Sequence, residues 1–568
     1  MREIIQPGVD LSRRSALMAL AGSATLVAMP SRALAAIRTP AGVFQHGIAS
    51  GDPDSRSVVL WTRASLSAPG PVTWEVATTP DFDRIVQRGV AAAGPDSDYT
   101  VKVVADGLSA AGSWYYRFRA EGEISPVGRA RTLPDGPIDT LGIAVVSCSN
   151  YAFGYFNAYD AIASDSEVDF VLHTGDYIYE YGANEWGGDI ARKLGRAHEP
   201  PHEIVSLADY RRRHAQYKSD PDAQAMHAAH SLLACWDDHE SANNPWTGGA
   251  QNHQPASEGE WKARREASIR AYFEWMPIRE PGLGRTRTQF WRSYAFGDLA
   301  TLFTLETRHT ARAEQIDYTP WESRIASHAE ARALERETID APGRAMLAGA
   351  LEVDLQAALE RSVVARQPWR LIGNPMPIAR TRVPDVVGQG LMPDPFLAAS
   401  SSAAAQLLAW KGKWNLPFYP DTWDGYAWAR ERLYRLGGQA GARDLIYLTG
   451  DSHSFWANRL ADASGRSVGI ELGTAGVTSP GDFVDSGFGR DLARQLDRAL
   501  EAHNPEVIWT DNLHQGYVRL NLTRSTGVAT FIALDTVTSH AYRTHILRRF
   551  SITQRAGSLT LKQMSGIT

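Results

Sequence analysis

The apolar positions change rhythm near residue 140. Before it, residues 58–63, 72–76, 99–103 and 114–119 alternate apolar with polar side chains or run apolar over short spans, with Gly, Pro, Asp and Ser between them. That rhythm predicts short strands packed as a small β-sandwich over 40–135. Leu133-Pro134-Asp135-Gly136-Pro137 reads as the linker that follows. Beyond it, apolar runs at 141–146, 170–172, 231–236 and 445–449 each stop at a polar cluster: Ser147-Cys148, Gly175-Asp176, Asp237-Asp238-His239-Glu240 and Gly450-Asp451-Ser452-His453. Helical spacing is expected over 155–164, 320–365 and 395–411. Strands interleaved with helices predict mixed α/β layers, and ligands of such sheets sit in the crevice beyond the strand ends.

Composition narrows the function classes. A net charge of −6 offers no basic footprint, so no specific nucleic-acid binding is expected. At the N-terminus, Arg13-Arg14 precedes a short apolar stretch that ends near Ala33-Leu34-Ala35, a small-residue cleavage pattern. The stretch is too short to span a bilayer comfortably. Residues 1–35 resemble a twin-arginine export signal, which implies a twin-arginine translocase as a transient partner and a periplasmic or secreted product. No other stretch looks transmembrane, so no stable membrane anchor is expected, and a monomer is expected. The two cysteines, Cys148 and Cys235, each end an apolar strand. Cys235 reads as a small buried hydrophobe.

The strand-end residues carry the candidate chemistry. Cys148, Asp176, Tyr179, Asp238, His239, Glu240, Asp451 and His453 are all metal-ligand types. Asp176 ends a buried strand, and its two oxygens suit a bridge between cations ~3.5–4 Å apart. Two such cations clamp the attacking and leaving oxygens of an in-line displacement at phosphorus. No G-x-S-x-G or P-loop pattern offers an alternative nucleophile or phosphate cradle.

SCSN, GDYIY, WDDHE and GDSH, in that order, resemble the PhoD-type alkaline phosphatases, relatives of the purple acid phosphatases in the metallophosphoesterase superfamily. The resemblance covers roughly residues 40–545. It implies a fibronectin- or immunoglobulin-like β-sandwich followed by a four-layer α/β/β/α metallophosphoesterase domain over 140–545, with 546–568 left as a C-terminal tail. It also implies Fe3+ and one or two Ca2+ ions. Thiolate, phenolate and imidazole suit ferric iron, so Cys148, Tyr179 and His453 form the iron side with Asp176 shared. Oxygen donors suit calcium, so Asp238, Asp451 and Asn243 form the other side. His239 is cast as the group that stabilises phosphoryl oxygens or protonates the leaving alcohol. Tyr177 reads as packing and Asp237 as a supporting or turn residue. Asn374 stands where the parent pattern bears a histidine ligand, and its role is open. Glu306 replaces the Asp of a family L-D-T-R stretch; Arg308 and Trp423-Asp424-Gly425-Tyr426 read as structural.

The implied function is a secreted alkaline phosphatase and phosphodiesterase acting on phosphate mono- and diesters by attack of a metal-held hydroxide. One alternative keeps the site and changes the substrate, a phospholipase D-like phosphodiesterase. The other is a secreted, calcium-stabilised binding protein, which the 17 Trp would serve.

Overall fold

Alternation along the central strands sends each side chain to one of two cores. In Thr140–Val146, Leu141, Ile143 and Val145 enter one apolar cluster while Ala144 and Val146 enter another. Phe170–His173 repeats the split, with Phe170 and Leu172 on one side and Val171 on the other. In Ser231–Ala234, Leu233 opposes Leu232 and Ala234. Strands buried on both faces are the mark of parallel sheets covered on each side. These three pair in parallel, in register Phe170 with Ile143 and with Ser231.

They form the middle of a ten-stranded sheet. Outward from Thr140–Val146 it continues antiparallel through Gly516–Thr523, Thr526–Leu534, Thr544–Arg555 and Ser558–Gln563. A seven-stranded sheet lies opposite, with Ala300–Thr304, Trp369–Gly373, Leu445–Thr449 and Ser467–Gly473 parallel at its centre. Leu302, Leu371, Ile446, Leu448 and Ile470 meet the first sheet in the shared core. Helices cover the outer faces. Asn157–Ala163, Leu207–Lys218, Pro221–Ala229 and Trp261–Trp275 bury Tyr159, Tyr217, Met226 and Tyr272 against one sheet. Gly349–Val364 and Ala427–Gln439 bury Leu355, Leu359 and Leu433 against the other. The layers therefore run helix, sheet, sheet, helix, the expected α/β/β/α order.

This computed structural model describes residues 42–393, 397, 403–555 and 557–565. The export signal expected over 1–35 lies outside the described residues. Among the described residues no helix is long and apolar enough to cross a membrane.

The N-terminal sandwich is present, but one of its layers is borrowed. Gly70–Ala77, Ile85–Ala93, Ser113–Ala120, Glu123–Ile124 and Gly128–Arg131 make a separate five-stranded sheet. Ile48–Gly51, Val58–Arg63 and Thr100–Ala105 instead complete the ten-stranded sheet, where Ser50 pairs with Ser231 and Gly51 with Leu232 in parallel. A Cβ on Gly51 would press on the Pro277 and Leu232 carbonyls, so the junction requires glycine. Val58, Leu60, Val72, Val76, Tyr116 and Phe118 fill the sandwich core.

Two expectations need correction. The helix expected over 320–365 is broken into Thr319–Glu322, His328–Leu334 and Gly349–Val364, with a π-helical turn at Glu335–Ile339. Pro342 lacks the N–H a helix needs, and Gly343 takes φ +89°. Of the helix expected over 395–411, residues 403–411 lie in Ala403–Trp414, and most of its expected start lies outside the described residues. The described part of 546–568 is not a tail: Thr544–Arg555 and Ser558–Gln563 extend the first sheet and bury Phe550, Ile552, Leu559 and Leu561 in the shared core.

Candidate metal centre

Parallel strands end on one edge, so the loops after them converge. They are pressed together closely. A Cβ on Gly175, at φ +113°, would overlap Asp237, and one on Gly450 would overlap Ser147 and Thr174. That crowding is the physical content of the two Gly-Asp pairs. Cys148, Asp176, Asp451 and His453 hold φ of 59°, 57°, 64° and 52°. Left-handed backbone is strained for residues with a Cβ, and it persists where surrounding structure over-determines it.

Three overlapping sets result. Ligand atoms of Cys148, Asp176 and His453 lie within 4.8 Å of one another, as do those of Asp176, Asp238 and His239, and those of Asp237, Asp238 and Asp451. Asp176 joins the first two sets and Asp238 the last two. Cys148 Sγ and the Tyr179 hydroxyl both donate to Asp176 Oδ2, at 3.5 and 3.2 Å. The Tyr179 oxygen accepts from Ser479 Oγ at 3.0 Å and lies 3.3 Å from His453 Nε2. His453 Nδ1 is 3.1 Å from the Pro480 carbonyl, which only accepts, so Nδ1 carries the hydrogen and Nε2 the lone pair.

The cluster is strongly anionic for its burial. Burial first, and neighbouring carboxylates after it, push the Asp176 and Asp451 carboxyls well above the usual range. Burial, reinforced by Asp176, does the same to the Cys148 thiol and the Tyr179 phenol. Two cations answer. Arg308, fully buried, donates from Nε to Asp237 Oδ1 at 2.5 Å and from Nη2 to Asp451 Oδ1 at 3.1 Å. His239 Nδ1 lies 2.7 Å from Glu180 Oε2. Burial opposes charge on that imidazole, but Asp238 and Glu180 outweigh it and raise its pKa to about 9. Even so, Asp237 Oδ2 and Asp238 Oδ1 are buried with no hydrogen-bond partner among the described residues. Unsatisfied buried carboxylate oxygens beside a thiol, a phenol and an imidazole make a donor set fitted to cations.

Neighbouring residues hold this set in place. Glu240 joins two loops, accepting from Tyr177 N at 2.6 Å and Asp237 N at 2.8 Å. Glu306 pins the turn that aims Arg308, accepting from Arg308 N, His309 N and Thr310 N at 2.8, 2.7 and 3.0 Å. Tyr177 is core, its hydroxyl 2.8 Å from His227 Nε2. Cys235 is a buried free thiol in the shared core. Asn374 spends both ends of its amide, donating to Met376 O at 2.7 Å and accepting from Trp423 Nε1 at 3.1 Å. Asn243 donates through its backbone to Glu180 Oε1 at 2.7 Å and through Nδ2 to Gln251 at 2.9 Å. The direct contact with Asp238 comes from Asn244, whose N–H reaches Oδ2 at 2.9 Å.

Arg308 and Glu180 are what the sequence reading underrates. Arg308 follows an apolar strand, Ala300–Thr304, as the other site residues do, and that signal was available. Glu180 sits beside Tyr179 with nothing in the pattern to mark it.

Comparison with known proteins gives the family. A family profile described as PhoD-like phosphatase matches residues 143–531, and that of the PhoD-like phosphatase N-terminal domain matches residues 30–134. The chain is 33% identical over 510 residues to alkaline phosphatase D of Bacillus subtilis strain 168, spanning 84% of this chain and 76% of that protein. A solved structure of PhoD superposes with a TM-score of 0.73 at 29% identity, covering 94% of each chain. With its strand-end motifs gathered at one centre and both halves matched, the chain belongs to the PhoD-like phosphatase family.

Proposed function

We propose that this protein is an exported, metal-dependent alkaline phosphatase that hydrolyses phosphate mono- and diesters and releases phosphate. One observation carries the reading: Cys148, Asp176 and His453, from distant parts of the chain, bring their ligand atoms within 4.8 Å of one another. With the Tyr179 phenol beside them, they would hold Fe3+. Asp176, Asp238 and Asp451, with Asn243 Oδ1 as a further donor, would hold Ca2+ through oxygen. Bound there, the cations supply charge for the phosphoryl oxygens and an activated water.

The chain's own residues orient and protonate. The His239 backbone N–H, 3.3 Å from Asp176 Oδ1, orients the shared carboxylate. Glu180 holds His239 through Nδ1. Nε2 then carries the proton that passes to the leaving alcohol oxygen as its bond to phosphorus breaks. Arg308 bridges Asp237 and Asp451 and places a positive charge between them. Family membership and the name of the Bacillus relative support phosphatase activity. Arg13-Arg14 and the apolar stretch after it support export by the twin-arginine route to the periplasm or medium.

The test is Asp176→Asn in protein purified without chelators. Hydrolysis of a phosphate monoester should fall at least a hundredfold, with circular dichroism unchanged, and iron and calcium contents should drop on elemental analysis. An active Asp176→Asn protein would refute the assignment. Wild-type protein that is colourless and holds only calcium would point instead to the binding-protein alternative. Turnover on phosphatidylcholine in preference to a nucleotide monoester would favour the phospholipase D-like reading.

A further inference from the structure

One large aromatic residue at the centre has no part in the scheme above. Trp186 lies in the loop between Gly182 and Gly188, after the strand end that supplies Asp176 and Tyr179. Its ring stacks on His453, centroids 5.6 Å apart and planes 18° off parallel. It runs nearly parallel to His239 as well, at 6.5 Å and 20°, and tilts against Tyr179 at 5.6 Å. The same indole therefore touches the candidate iron ligands and the candidate proton donor.

Its outer surroundings are also aromatic. Phe153 meets it edge-on at 4.7 Å and Tyr181 at 5.8 Å. Gly187, at φ +86°, lets the loop lie on Phe153, where a Cβ would come within 2.8 Å of the ring. The only polar atom of the indole is engaged: Nε1 donates to Asp485 Oδ2 at 3.0 Å. His453 and His239 are 9% and 6% exposed, whereas Trp186 is half-buried. The indole is thus more exposed to solvent than the two imidazoles it covers.

An ester bound at the centre sends its phosphoryl group inward, toward the charged cluster. The alcohol portion must extend outward, past this wall. What the half-buried indole offers there is aromatic surface with its hydrogen-bond donor already satisfied. Such a face recognises planar rings and is indifferent to small aliphatic alcohols, because stacking needs a flat partner. We propose that Trp186 is a specificity-determining residue: it forms the leaving-group subsite and selects phosphate esters whose alcohol carries a planar aromatic or heteroaromatic ring. This rests on the phosphate-ester reading of the site.

The experiment uses the metal-replete enzyme and its Trp186→Ala and Trp186→Phe variants. For each, kcat/KM is measured on p-nitrophenyl phosphate and on glycerol 2-phosphate, and the variant-to-wild-type ratio is taken for each ester, so that intrinsic leaving-group reactivity cancels. In Trp186→Ala the ratio for the aryl ester should fall about tenfold further than that for the glycerol ester, mostly through KM. Trp186→Phe, which keeps a flat ring, should recover most of the difference. Inhibition by phenylphosphonate should weaken by a similar factor relative to methylphosphonate, a readout independent of turnover. Equal losses on both esters would mean that the indole only packs on His453, and would overturn the subsite. So would undiminished aryl preference in Trp186→Ala. Wild-type protein that cleaves neither ester would remove the phosphatase reading itself, a failure distinguishable from that of the subsite.

Discussion

Arg308 shows how much one side chain can decide. Its guanidinium is buried among Asp237, Asp238 and Asp451, at 2.5, 3.7 and 3.1 Å. Removing one partner of a buried ion pair costs about 3–5 kcal/mol, because the other charge is left uncompensated. Arg308→Met should therefore lower the melting temperature sharply in chelator-treated protein. In metal-replete protein the drop should be much smaller, since bound cations would replace part of the missing charge. Thermal melts of both variants with and without EDTA check this. An equal drop in the two states would mean that these carboxylates do not share their charge with cations. The left-handed φ values of Cys148, Asp176, Asp451 and His453 belong to the same scale. Each residue is held in a costly backbone so that its side chain can point inward.

Elements set the frame in which those residues meet. Three parallel strands of one sheet and three of the other stop at the same rim, so the loops cannot avoid each other. The C-terminal strands matter for a different reason. Phe550, Ile552, Leu559 and Leu561 bury their side chains in the core between the sheets. At about 1.5–3 kcal/mol per fully buried large apolar side chain, they contribute about 6–12 kcal/mol together, as much as a typical domain's whole stability. A chain stopped after residue 543 should be insoluble or unfolded at 25 °C, as judged by soluble yield and circular dichroism. A soluble truncation with wild-type melting behaviour would show the strands to be dispensable.

Across the whole molecule, a buried basic cluster behind the centre ties stability to pH. Lys218 Nζ lies 2.8 Å from His227 Nε2, among Trp61, Tyr177 and His214. Burial lowers Lys218 and His227 well below their ordinary values, and lowers His173 and His214 to about 3. The folded state keeps these groups neutral while the unfolded chain takes up protons. Their contribution to stability is therefore full above the unfolded pKa and is lost as pH falls: below about 6.5 for the histidines, and below about 10.5 for the lysine. Each extra proton on the unfolded chain costs about 1.4 kcal/mol per pH unit. Lys218→Met should flatten the rise in unfolding free energy as pH climbs toward 10 by about that slope, measured by urea denaturation of both proteins. Parallel curves would mean that the lysine is charged in the fold. A cluster built this way makes the fold more stable on the alkaline side of neutrality than on the acid side.

The sequence alone determined mixed α/β layers and most of the candidate ligands, while the four-layer order rested on the family resemblance. Period-two alternation and apolar run length are local properties, and they are enough to find strands buried on both faces. A polar residue at the end of such a strand is equally visible, which is why Cys148, Asp176, Asp238, Asp451 and His453 stand out before any folding is considered. Tertiary structure decided the rest. That Ile48–Gly51, Val58–Arg63 and Thr100–Ala105 would leave the sandwich's own sheet and join the catalytic one depends on Ser50 and Gly51 finding Ser231 and Leu232, a pairing across 180 residues that no local pattern encodes. That residues 544–563 would be strands in the shared core depends on a sheet edge left open for them. The roles of Arg308, Glu180 and Trp186 were decided by what they approach in space. Charge compensation, hydrogen-bond geometry and ring stacking act between side chains that meet only once the chain has folded.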